Sequence, residues 1–259
     1  MPFVTGGITA DWTDLLLAYE AGGADAIEVG LPFSDPMLDG VTIQQASDRA
    51  LARGTTVDSV LAEVAAVRVG IPLVLSTYLN LVVHEGAARF CRRIADAGIA
   101  GLIVPDLPVD EAAELEAAAA EAGIDLVLLA APSTAPERLA EICARSRGFV
   151  YAVSVMGTTG ERTTLADSAG LLTARVRAVS DRPVLIGFGI SGPDQAVAAG
   201  RAGDGAVIGA ALMRRVLDGA TPAEVGHEVA GLRAALDRFN LNQEAPAGTA
   251  YAEVSGDRG

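Results

Sequence analysis

The stretch Ala26–Gly40, "AIEVGLPFSDPMLDG", decides how this chain is read. It opens as a short apolar β-strand but carries a carboxylate, Glu28, within the strand. A loop follows that is stiffened by Pro32 and Pro36, holds Asp35 and Asp39, and ends at Gly40. Side chains alternate along a strand, so Ile27 and Val29 share one face and Ala26, Glu28 and Gly30 the other. The large apolar pair is expected to meet helices, which turns Glu28 the opposite way, into the interior of a closed sheet. Burying a carboxylate is costly. Two readings therefore stand: an ion pair with an arginine, or an acid with chemical work. Burial raises a carboxyl pKa, which suits a group that gives and takes a proton near neutrality. One of Asp35 and Asp39 is expected to cap the helix that starts near Thr42, and spacing does not say which.

Outward from this stretch, short apolar runs alternate with alanine-rich helical segments. The predicted strands are Phe3–Thr5, Ala26–Val29, Leu73–Tyr78, Leu102–Val104, Leu126–Leu129, Phe149–Val153, Val184–Ile186 and Ala206–Ile208. Predicted helices are Asp11–Ala21 after a Thr9 cap, Thr42–Ala52, Val57–Val69, Gly86–Ala97, Asp110–Ala122, Ala135–Ser146, Asp167–Val179, Pro193–Ala202, Ala211–Leu217 and Pro222–Arg238. The last is expected to be capped by Thr221, with Pro222 at its first position. Eight β/α units close into a (β/α)8 TIM barrel of one domain, residues 1–241. A doubly wound open sheet is disfavoured, because the first strand–helix turn lacks G-x-G-x-x-G. The polar, small-residue tail 242–259 is expected to be disordered.

Barrel enzymes work at the C-terminal ends of their strands. There the predicted strand seven runs into "IGFGIS" and strand eight into "VIGAALM". Gly187, Gly189 and Gly209 let backbone N–H groups approach a ligand, and a helix N-terminus follows each loop, a favourable place for an anion. With the loop "MGTTGER" (156–162) after strand six, the pattern favours a phosphorylated small molecule.

Composition narrows the chemistry. The chain has 259 residues and a net charge of −14, which argues against nucleic acid or an anionic membrane as partner. No apolar run reaches the length of a membrane span, and no signal peptide is recognisable. Two isolated cysteines, Cys91 and Cys143, fit a cytoplasmic, disulfide-free protein. All 19 basic residues are arginine. Without lysine the chain forms no Schiff base of its own. His84 and His227 stand apart from any ligand partner, which argues against a metal site or a Ser-His-Asp triad.

The stretch "IEVGLPFSDPMLDGVTIQ" (27–44) closely resembles the signature of the tryptophan synthase alpha chain family. Further matches, in the family's order, are "TYLNLV" (77–82), "LIVPDLPVDE" (102–111), "GTTG" (157–160) and "GFGIS" (187–191). The resemblance implies a lyase of tryptophan biosynthesis that splits indole-3-glycerol phosphate into indole and glyceraldehyde 3-phosphate, without cofactor or metal. It implies that Glu28 transfers protons and Asp39 stabilises charge on the indole N–H. Thr159 would meet that aspartate, and Tyr151 and Phe188 would contact substrate. Gly160, Gly187, Phe188, Gly189, Gly209 and Ala210 would cradle phosphate. Indole would pass to a beta chain in a heterotetramer, with 32–35 and the segments around Asn80 and Pro108 facing it. The alternatives are a stand-alone lyase and a non-catalytic sugar-phosphate-binding barrel.

The sequence also departs from that family. It begins almost at strand one, so the usual N-terminal helix over the barrel bottom is expected to be missing. Ala210 replaces a usual serine, Ser76 a larger apolar residue, Val41 a proline and Thr158 a valine. "GGIT" (6–9) replaces a glycine-aspartate-proline turn.

Overall fold

The computed structural model describes residues 1–153, 165–187 and 189–244. Its eight strands are β1 (Phe3–Thr5), β2 (Ile27–Gly30), β3 (Leu73–Ser76), β4 (Gly101–Ile103), β5 (Asp125–Ala130), β6 (Val150–Val153), β7 (Val184–Gly187) and β8 (Gly205–Ala206). They pair in parallel in sequence order. The ring closes where Pro2 and Ile208 form a parallel bridge. There the Phe3 N–H donates to the Ile208 carbonyl at 2.9 Å and the Ile208 N–H to the Met1 carbonyl at 3.1 Å. This is the expected (β/α)8 barrel, with each predicted strand within two residues of its place.

The helices are α1 (Trp12–Ala21), α2 (Val41–Ala52), α3 (Val57–Ala66), α4 (Leu79–Glu85), α5 (Ala87–Asp96), α6 (Ala113–Ala122), α7 (Pro136–Arg145), α8 (Leu165–Arg177), α9 (Pro193–Ala202), α10 (Ala210–Leu217) and α11 (Pro222–Glu244). Outward-facing strand residues such as Val4, Ile27, Val29, Leu75 and Leu102 pack against them in one core that includes Trp12, Leu16, Tyr19 and Phe90. A smaller core fills the ring itself: Val74, Ile103 and Val127, with Met1, Leu129, Phe149 and Tyr151 against them. Strand registers explain this division. Phe3 pairs with Glu28 and Glu28 with Val74, so the three share the inward face.

Several local expectations change. Helix α1 starts from Asp11 with no side-chain cap, so Thr9 does not cap it. Gly40, in extended backbone, is the cap residue of α2 and also lacks a side-chain bond, so neither Asp35 nor Asp39 plays that part. The expected helix at Thr221 is confirmed, since the Glu224 N–H donates to Thr221 Oγ1 at 3.3 Å while the Thr221 N–H donates to Glu224 Oε2 at 2.8 Å. Helix α11 runs past Arg238 to Glu244 and so takes in the first three residues of the expected tail; 245–259 lie outside the described residues. Helix α4 was not expected. Its first N–H, that of Leu79, donates to Asp106 Oδ1 at 2.8 Å. The acceptor comes from a distant loop, so no local signal marks the start. Gly86, with φ of 83°, separates α4 from α5.

The layers leave little space between them. A methyl group on Gly203 would lie 2.6 Å from Ile186 Cδ1 and 2.8 Å from the Val184 carbonyl oxygen. A backbone atom cannot swing aside, so Gly203→Ala is expected to lower unfolding stability by about 1–3 kcal/mol, read by urea denaturation.

Candidate active site

Glu28 points into the ring, as its strand position requires, and is 5% exposed. Its neighbours on that face are the Phe3 ring and Val74, and among the described residues it takes part in no ion pair. The arginine-pair reading is therefore set aside. The Oε2 atom is buried without a hydrogen-bond partner. Burial pushes the Glu28 pKa up to about 7; the Ser76 side chain, within hydrogen-bonding reach, pulls down, and the Asp39 charge pushes up. A carboxyl group near pH 7 is half protonated under ordinary conditions and serves as acid or base.

Above Glu28 the ring opens at the strand C-termini into a cavity of about 30 Å³, with Phe3, Thr5, Asp39, Ile43, Ser76 and Tyr78 among its walls. That is room for about one water. Gly30 lies on the wall one inward position beyond Glu28, and Ser76 is its register partner on β3. Ser76 thus reaches both the cavity and the buried acid. The hydroxyls of Thr5 and Thr77 also line the cavity, buried and without partners.

Asp39 arrives from the loop after β2. The Gln44 side-chain amide donates to its backbone carbonyl at 2.9 Å, tying the loop to α2. Partial burial raises the Asp39 pKa, and the Tyr78 phenol beside it lowers it. Asp35 is exposed, accepts from Ser34 Oγ at 2.6 Å and is not among the cavity walls.

Tyr151 comes from β6 on the inward face. Burial holds its phenol protonated, and the charges of Glu28 and Asp39 reinforce this. Gly187 has a reason that sequence reading missed: a Cβ there would lie 2.5 Å from Tyr151 Cε1 and 2.7 Å from its hydroxyl. The glycine seats the ring.

Gly189 has φ of 39°, a left-handed backbone, with open space where a side chain would stand. Gly209 is the cap residue of α10, and Ala210 begins the helix. Phe3 and Ile43 of the cavity wall lie beside Gly209, with 3.6 Å from its Cβ position to Phe3 Cβ. Helix α10 therefore starts beside two residues of the cavity wall. At α9, by contrast, the preceding Ser191 N–H already donates to Gln195 Oε1 at 2.6 Å. Thr159, Gly160 and Phe188 lie outside the described residues.

Tyr78 is the residue that sequence reading passed over. It lies at the end of β3, and its phenol accepts the Leu38 N–H at 3.0 Å. Its ring stacks on Phe33 at 5.1 Å between centroids.

A parallel (β/α)8 barrel with an unpaired acid at the catalytic ends of its strands is a barrel enzyme of the acid–base kind. Comparison with known proteins gives the family. The tryptophan synthase alpha chain family profile matches residues 1–242. The tryptophan synthase alpha chain of Prochlorococcus marinus (strain MIT 9313) is 47% identical over 237 residues, 90% of this chain and 86% of the relative. That of Synechococcus sp. (strain CC9902) is 45% identical over 248 residues, 92% and 91% of the two chains. Among solved structures, tryptophan synthase from Mycobacterium tuberculosis superposes with a TM-score of 0.83 at 39% identity, over 91% of both chains. Tryptophan synthase subunit alpha from Legionella pneumophila str. Paris gives 0.82 at 30%, over 92% of both. The chain belongs to the tryptophan synthase alpha chain family, a family of lyases that cleave indole-3-glycerol phosphate in tryptophan biosynthesis.

The buried acid carries a stability signature. The raised Glu28 pKa means that the unfolded chain, at the model-peptide value of 4.5, ionises first. Stability therefore falls as pH rises from about 4.5 to about 7 and then levels off. Glu28→Gln removes this loss. Urea unfolding is expected to find the variant more stable than wild type by on the order of 3 kcal/mol at about pH 8, with the gain vanishing near pH 4.

Proposed function

We propose that Glu28 and Asp39 carry the cleavage of indole-3-glycerol phosphate as proton carrier and charge stabiliser, and that the indole formed passes to a beta chain. The observation that supports this best is Glu28 itself, buried and uncompensated with a pKa of about 7 and a free Oε2. Protonated Glu28 gives its proton to the indole ring carbon that bears the glycerol phosphate side chain. The positive charge then spreads to the ring nitrogen, where the Asp39 carboxylate offsets it. The carboxylate left at Glu28 takes the proton of the adjacent side-chain hydroxyl. As that C–O bond becomes a carbonyl, the C–C bond breaks and its electron pair restores the aromatic ring. Indole and glyceraldehyde 3-phosphate leave, and Glu28 is protonated again. The ring serves as electron sink, so an acid, a carboxylate and backbone dipoles suffice.

Gly187, Gly189, Gly209 and Ala210 hold the phosphate in this reading, with the N-terminus of α10 as its main anchor. Ala210 contributes its N–H and no hydroxyl. Tyr151 borders the indole, and Thr159, Gly160 and Phe188 keep the roles that the family resemblance implies. A beta-chain partner is supported by the exposed apolar side chains beside Asp39: Met37 at 78%, Leu38 at 57% and Val41 at 68%. Val83 on α4 is exposed likewise at 65%. The similar M. tuberculosis structures are of tryptophan synthase, which supports a heterotetramer with two copies of each chain. Among the described residues no helix is long and apolar enough to cross a membrane, in keeping with a cytoplasmic enzyme.

An indole-release assay on indole-3-glycerol phosphate tests the reading, run with and without a beta chain. Glu28→Gln is expected to abolish turnover and spare substrate binding measured by calorimetry. Asp39→Asn is expected to lower kcat by on the order of a hundredfold or more. Equal turnover in wild type and Glu28→Gln would defeat the mechanism. Release that a beta chain leaves unchanged would favour a stand-alone lyase, and binding without release a non-catalytic barrel.

A further inference from the structure

The loop that brings Asp39 to the cavity turns the Met37 and Leu38 side chains to solvent, and α2 begins without a side-chain cap. Gln44 holds the Asp39 carbonyl from α2. The other hold comes from the residue that caps α4, just beyond β3. The Tyr78 hydroxyl accepts the Leu38 N–H at 3.0 Å, one residue before Asp39. The same phenol stands beside the Asp39 carboxylate and lowers its pKa. Its ring stacks on Phe33, at 5.1 Å and 26° between planes, near the start of the loop. Tyr78 thus grips both ends of the segment 33–39.

Tyr78 is itself firmly placed. It is 5% exposed. It sits where β3 ends and α4 begins, and the N–H of the next residue, Leu79, donates to Asp106 Oδ1 at 2.8 Å. Position therefore runs from the loop after β4, through the start of α4, to the phenol and on to Asp39. Burial, reinforced by the nearby Asp39 and Asp106 charges, pushes the Tyr78 pKa up to about 12 despite the Leu38 N–H. The group thus keeps its proton and can donate to a carboxylate while accepting from an amide. The charged and titratable groups around Asp39 are Glu28 from β2, Tyr78 from the end of β3 and Tyr151 from β6.

We propose that Tyr78 is the positioning residue of Asp39: its hydroxyl locks the loop after β2 against the barrel rim and sets the carboxylate where the substrate nitrogen develops charge. The first half, that Tyr78 orders the loop, stands on the free protein. The second half rests on the reading given under Proposed function.

Tyr78→Phe removes the hydroxyl and keeps the ring on Phe33. In the indole-release assay kcat is expected to fall on the order of tenfold to a hundredfold, with KM changed by less than about twofold. Because the phenol lowers the Asp39 pKa and Asp39 must be ionised to act, losing it moves the acid limb of the rate–pH profile upward. In an Asp39→Asn background Tyr78→Phe is expected to cost nothing further. An undiminished loss in that background would overturn the proposal.

Two measurements without substrate separate this proposal from the proposed reaction. The carbon-13 titration of the Asp39 carboxyl group is expected to move upward in Tyr78→Phe, and an unmoved midpoint would count against the contact. In the wild-type chain the Leu38 amide is expected to exchange slowly with deuterium although its side chain is exposed. Rapid exchange there would overturn the lock even if the variant failed to fold. A wild type that released no indole, but whose Leu38 amide was protected and whose Asp39 titration responded to Tyr78, would sink the reaction and leave the positioning intact.

Discussion

A single carboxyl group held inside a closed ring of strands, with no ion pair among the described residues, sets the terms for the rest of this structure. The ring interior is built from Val74, Ile103, Val127, Leu129, Phe149 and Tyr151, so a charge there is poorly solvated. Three arginines are paired away from it: Arg93 joins Asp58 and Glu85, Arg145 joins Glu116 and Glu141, and Arg233 joins Asp25 and Asp237. The group meets its burial cost by holding its proton to higher pH. Stability surrendered at neutral and alkaline pH and readiness for proton transfer are the same physical fact seen from two sides.

The loops at the strand ends divide the remaining work. The loop after β2 brings a second acid to the rim and leaves it half-buried; burial raises its pKa, and the Tyr78 phenol works against that rise. The start of α10 lies beside Phe3 and Ile43 of the cavity wall.

The glycine at the end of β7 illustrates how one residue type has more than one cause. Clearance for the Tyr151 ring requires Gly187 to lack a side chain, beside the phosphate role proposed for it. Gly189 differs, because its left-handed backbone alone calls for glycine. In the same way Ser76 is both a cavity wall and the hydrogen-bonding neighbour of Glu28. A hydroxyl at that position makes the ring interior more polar just where the acid sits.

Sequence by itself determined the barrel, the side of β2 on which Glu28 lies and the presence of helix N-termini after β7 and β8. Those features follow from periodicities of two and 3.6 residues, which act between near neighbours and can be read along the chain. Tertiary structure alone decided which acid reaches the cavity and which, Asp35, stays in solvent, because both occupy equivalent loop positions until Tyr78 and Gln44 select between them. It also decided that α4 exists, through an acceptor 27 residues away, and that Glu28 has no arginine partner among the described residues. Those outcomes depend on groups distant in sequence meeting in space, and local patterning carries no record of such meetings.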